Sequence, residues 1–74
     1  MIAQTYDGRA DKCPLPLIKT KLLIKQLLHG QQAHIHLADS GSKSDIPAWL
    51  SRQNLNYVVH ANHDQSITIT ITKE

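Results

Sequence analysis

Cys13 is the only cysteine of the 74-residue chain, and Pro14-Leu15-Pro16 follows it at the start of an apolar stretch with helical spacing. A proline disfavours the α region for the residue before it, so Cys13 is expected to be extended and to act as the N-cap of a helix. Pro14 then takes the first helical position and Pro16 falls in the first turn, where a missing N–H costs little. The N–H groups of Cys13 and Leu15 remain near the sulfur. With the positive end of the helix dipole they favour a thiolate, and Arg9 and Lys12 add positive charge nearby. Cysteines in such settings titrate anywhere from roughly 3.5 to 7.5, against about 8.5 for a free thiol. The chemistry this points to is a sulfur nucleophile at neutral pH. The plainer alternative is a buried structural cysteine that precedes a proline-capped helix.

Histidines form the other candidate set. His34 and His36 stand two apart on one face of an expected strand, with His60 and His63 in the neighbouring hairpin, a pattern that could ligate zinc or nickel. Histidine on the solvent side of a sheet is ordinarily just solvated, and no metal site is expected. An RNA-binding or regulatory module is the third reading, by analogy of fold alone. A net charge of +2 and only three aromatic residues, Tyr6, Trp49 and Tyr57, argue against direct nucleic-acid binding.

Positioning these groups takes six short elements in the order βαβαββ. Ile2 to Tyr6 reads as a first strand, and Asp7 to Lys12 as the loop that delivers Cys13 to a helix running from about Pro14 to Leu28. Gly30 supplies its stop signal, with Lys25 and His29 suiting the last turn. Ala33 to Leu37 alternates with period two, which buries Ala33, Ile35 and Leu37 and turns His34 and His36 away. Ser42 three residues ahead of Asp45 resembles a capping box for a second helix carrying Ile46, Trp49 and Leu50, with Pro47 in its first turn. That helix should end near Arg52 to Asn54. Asp7, Asp45 and Ile46 are expected to shape the fold, Asp45 as a first-turn acid. Tyr57 to His60, a turn at Ala61 to Gln65, and Ile67 to Thr72 make a hairpin whose isoleucines face the core and whose threonines face water. The class is α+β: a two-layer α/β sandwich with two helices on one face of a four-stranded mixed sheet.

The first helix carries more apolar residues than one buried face requires. Leu17, Leu23, Ile24, Leu27 and Leu28 share one arc with Thr20, whereas Leu15, Ile18 and Leu22 make a second stripe that begins two residues from the thiol. Lys19, Lys21 and Lys25 edge it. An apolar stripe on the outer face of a two-layer domain suits partner docking by Leu15, Ile18, Leu22 and Lys19. Scattered exposed leucines are the alternative.

Residues 1–74 are expected to be a single domain and a monomer. One cysteine permits no internal disulfide, which suits a reducing, cytoplasmic compartment. Neither an export signal nor a membrane anchor is legible.

The chain resembles, over essentially its whole length, the TusA/SirA-like family of small sulfur-carrier proteins. The likeness rests on Cys13-Pro14-Leu15-Pro16, then Leu17 to Lys21, with Asp7 and Arg9 ahead of them at the family's spacing. A second block runs from Asp39 through Ser44-Asp45-Ile46-Pro47. The resemblance implies a βαβαββ two-layer fold and a persulfide formed on Cys13, with sulfur passed from a donor such as a cysteine desulfurase or rhodanese to an acceptor protein. It implies Pro14 and Pro16 as scaffolding and no metal or organic cofactor. Ala10 and Asp11 stand where the family has glycine and an apolar residue, and Asn54 stands where glycine is common. Asp11 is expected to set a negative charge near the thiol, against Arg9 and Lys12.

Overall fold

Alternation with period two and caps of known chemistry account for most of the architecture. The computed structural model describes residues 2–12, 14–53 and 55–73. The elements are β1 (Ile2–Gly8), α1 (Leu15–Gln26), β2 (Gln32–Leu37), α2 (Ser40–Arg52), β3 (Asn56–Ala61) and β4 (Ile67–Thr72), in the expected order. The sheet runs β1-β2-β4-β3, with β1 parallel to β2 and β4 antiparallel to both β2 and β3. The later strand β4 therefore inserts between the two strands that α2 joins, and both helices cover the same face.

Register explains the core. Ala33 pairs with Ile71, Ile35 with Ile69 and Leu37 with Ile67, so the apolar members of β2 and β4 lie side by side under the helices. Ile35, Leu37, Ile69 and Ile71 are fully buried, joined by Leu23, Ile24 and Leu27 from α1 and its end, and by Ile46 and Leu50 from α2. The opposite face carries His34 beside Thr70 and His36 beside Thr68, half-buried and facing away from the core as expected.

Several boundaries differ from the sequence expectation. The cap of α1 is Pro14 rather than Cys13, and the helix begins at Leu15. The reason is a preceding turn: Leu15 N–H donates to the Lys12 carbonyl at 3.0 Å, and the first i→i−4 bond runs from Ile18 N–H to the Pro14 carbonyl. The Leu15 donor expected to face the sulfur is spent there. At the other end α1 stops at Gln26, because Leu27 is already extended (φ −73°, ψ 139°). Leu28 thus leaves the helical wheel and is 68% exposed rather than buried, and His29 lies beyond the last turn. Gly30, with φ +85°, serves the turn from Leu28 to Gln31 instead of the helix end.

The second helix starts earlier than expected. Its cap is Asp39, whose carboxylate accepts from Ser42 N–H at 3.0 Å and from Ser42 Oγ at 3.3 Å. Ser42 is therefore an occupant of the first turn, not the cap, and Asp45 lies in the second turn. Pro47 falls inside the helix rather than in its first turn. The hairpin turn is one residue later as well: Ala61 belongs to β3, and Asn62 N–H donates to the Ser66 carbonyl to close it. Asn54 lies outside the described residues.

Candidate functional site

Cys13 lies outside the described residues; the segments on both sides of it are described. The carboxyl end of β1 runs out at Gly8, and Asp11 N–H donates back to the Gly8 carbonyl at 3.1 Å, which folds residues 8–11 into a turn. The Lys12–Leu15 turn follows at once. Pro16 is fully buried and anchors the first turn of α1 in the core, whereas Pro14 and Lys12 are exposed. Two turns back to back thus deliver the cysteine-bearing segment to the amino end of a twelve-residue helix. There the helix dipole favours negative charge.

Four charged groups around the segment, Asp7, Arg9, Asp11 and Lys19, form two ion pairs. Arg9 grips Asp7 through both carboxylate oxygens, with Nε to Oδ1 at 2.9 Å and an NH2 nitrogen to Oδ2 at 2.8 Å. The guanidinium holds the Asp7 carboxyl well below the usual carboxylate range, and Asp7 in turn raises Arg9. Both are half exposed, so the pair is a solvated fork at the strand end, and Arg9 is occupied by Asp7.

Asp11 has its own partners. The Tyr6 hydroxyl donates to Asp11 Oδ2 at 2.6 Å, and Lys19 Nζ reaches the same oxygen at 3.2 Å. Lys19 Nζ also sits 5.4 Å from the Tyr6 ring centroid. These contacts lower the Asp11 carboxyl, first through the Tyr6 hydrogen bond and then through Lys19. Partial burial and the Asp11 carboxylate push the Tyr6 phenol up. Sequence reading gave no role to this arrangement. The Tyr6 ring packs over Gly8 on the same strand face, where an added Cβ at Gly8 would meet it at 2.7 Å.

The expected apolar stripe of α1 is exposed: Leu15 is 40%, Ile18 50% and Leu22 54% exposed. Lys19 lies at its edge, tied to Asp11. Lys21 is turned over the Trp49 ring, 5.3 Å from its centroid, and links the two helices. Ile46 is fully buried.

Because β1, β2 and β3 run in one direction, their carboxyl ends share one end of the sheet. The cysteine-bearing loop, the amino end of α2 and the β3–β4 turn gather there. Lys43 Nζ donates to the Gln65 carbonyl at 2.7 Å and ties the last two together. On the open sheet face, His36 Nδ1 is 3.0 Å from Thr68 Oγ1, and the His34 and His36 rings meet edge to face with centroids 6.4 Å apart. Among the described residues no group of three or more His, Cys, Asp or Glu side chains is placed to hold a metal ion. No described helix is long and apolar enough to cross a membrane.

A two-layer α+β sandwich with a lone thiol segment leading into its first helix defines a narrow class. The family model of the sulfurtransferase TusA matches residues 4–73, and the chain belongs to that family. A curated Halobacterium salinarum protein named "putative sulfur carrier protein" is 42% identical over 50 residues, 68% of this chain and 62% of that protein. Two Bacillus subtilis proteins of the same description are similar. YrkI is 37% identical over 62% of this chain and 61% of its own length, and YrkF is 36% identical over 70% of this chain and 28% of its own. The matched stretch thus spans less than two thirds of each of these relatives. The crystal structure of a SirA-like protein of Desulfitobacterium hafniense superposes with a TM-score of 0.79 over 97% of this chain and 100% of that one, at 19% identity, a likeness of fold.

Proposed function

We propose that the chain is a sulfur carrier in which Cys13 holds a sulfane sulfur as a persulfide. The observation that carries this reading is membership of the TusA family over residues 4–73 by a chain with one cysteine, immediately before the Pro14 cap of α1. The Cys13 thiolate attacks the outer sulfur of a donor's cysteine persulfide. The donor's S–S bond breaks, the donor leaves as a thiolate, and a new S–S bond forms on Cys13. An acceptor thiolate then takes the terminal sulfur by the same displacement and restores Cys13. A carrier needs no resolving thiol, whereas a dithiol oxidoreductase does.

The helix dipole and Lys12 support negative charge on the persulfide, while the Pro14 cap and the buried Pro16 stiffen the approach. Leu15, Ile18 and Leu22, with Lys19 beside them, form the surface on which a cysteine desulfurase or rhodanese, and later the acceptor, would dock. Residues 1–74 act as one such unit, in a reducing cytoplasm where the thiol stays available. The test is intact mass after incubation with a cysteine desulfurase and free cysteine, for the native chain and Cys13→Ser. One added sulfur, removed by reductant and missing in the variant, supports the carrier reading. No gain with this donor or with a rhodanese and thiosulfate, from a thiol that still alkylates, overturns it.

A further inference from the structure

We infer that Asp11 is a positioning residue: its carboxylate clamps the segment leading to Cys13 between strand β1, through Tyr6, and the second turn of α1, through Lys19. The inference rests on the carrier reading for its functional meaning and on geometry for its substance. One oxygen, Asp11 Oδ2, receives both the Tyr6 hydroxyl at 2.6 Å and Lys19 Nζ at 3.2 Å. The Tyr6 ring lies over Gly8, the residue whose carbonyl accepts the Asp11 N–H. Strand end, turn and helix are thereby tied at a point two residues before the cysteine. The alternative that the sequence suggests is a loose negative charge opposing the thiolate. A carboxylate that already accepts from a phenol and an ammonium has its charge partly offset by Lys19, and the two bonds restrain its place in the loop.

The two accounts separate by substitution. Asparagine at position 11 keeps an oxygen for Tyr6 and loses the charge, whereas alanine loses both. If Asp11 acts as a clamp, Asp11→Ala and Tyr6→Phe slow sulfur uptake from a persulfide donor by similar factors, about threefold or more. Their double variant is no slower than either, and Asp11→Asn retains most of the native rate. The pH midpoint of Cys13 alkylation by iodoacetamide moves together in Asp11→Ala, Tyr6→Phe and the double variant. If Asp11 acts only as a charge, Asp11→Asn and Asp11→Ala behave alike, both lower the alkylation midpoint, and Tyr6→Phe stays native. That result overturns the clamp, as does a native midpoint in every variant. Tyr6→Phe keeps the ring on Gly8 and Asp11→Asn keeps the side-chain shape, so the comparison survives if Asp11→Ala folds poorly. Absence of sulfur uptake by the native chain would count against the carrier reading alone, because the alkylation series still decides the clamp.

Discussion

Tyr6 is the residue whose ionisation the fold resists most clearly. Burial and the Asp11 carboxylate raise its phenol above the ordinary 10.0. A group whose folded pKa is raised adds stability that is fully present below its unfolded value and is lost as pH rises toward the folded one. The native chain should therefore lose more stability between pH 8 and pH 11 than Tyr6→Phe does, measured as the shift in urea midpoint. Asp11 has the opposite sign. Its folded pKa lies below 3.8, so its contribution is present above about pH 4 and disappears as the solution is acidified. Thr20 offers a simpler case. It is fully buried on the inner face of α1, and its hydroxyl has no hydrogen-bond partner among the described residues. Thr20→Val replaces that hydroxyl by a methyl group of similar shape and should stabilise the fold by about 1 kcal/mol, read from thermal or urea unfolding. An unchanged or lower midpoint would mean the hydroxyl is satisfied in solution.

Caps decide where the elements begin, and they were the least legible part of the chain. Alternation in Ala33–Leu37 and Ile67–Thr72 revealed two strands and their buried faces, because a period-two pattern has one solution when one face is wet. The start of α2 was not legible in the same way. Asp39 and Ser42 are both good cap residues, and only the hydrogen bonds from Ser42 to Asp39 show which one caps. Similarly, the apolar arc of α1 correctly turned Leu15, Ile18 and Leu22 outward but could not reveal that Leu27 becomes extended and releases Leu28. The Tyr6–Asp11–Lys19 contact spans loop and helix with no periodic signature, so it lay beyond sequence reading altogether. Asp39→Ala should destabilise the chain by about 1–2 kcal/mol, because Ser42 N–H loses its acceptor and the buried Ser42 hydroxyl loses one too. The check is a denaturation midpoint, with Asp39→Asn expected to recover most of the loss.

At the scale of the whole molecule, the core and the exposed apolar stripe of Leu15, Ile18 and Leu22 sit on opposite sides of α1, which lets stability and the proposed docking be tested separately. A chain of this size is only roughly 4–11 kcal/mol more stable than its unfolded state. Leu50 is fully buried between the layers, and Leu50→Ala should cost about 2–5 kcal/mol, a large part of that margin. Ile18 and Leu22 are half exposed, and their replacement by aspartate removes no core contact, so each should change stability by no more than about 0.5 kcal/mol. If the stripe docks the sulfur donor, Ile18→Asp and Leu22→Asp should nevertheless slow persulfide transfer at least about tenfold at limiting donor, while alkylation of Cys13 by a small reagent stays native. Leu50→Ala should show the reverse: a much lower unfolding midpoint, with transfer preserved at temperatures where the chain is still folded. Native transfer rates in both stripe variants would dissociate the exposed face of α1 from donor recognition. The proposed donor surface would then have to be sought at the carboxyl ends of the strands, where the loop that follows β1, the amino end of α2 and the β3–β4 turn gather.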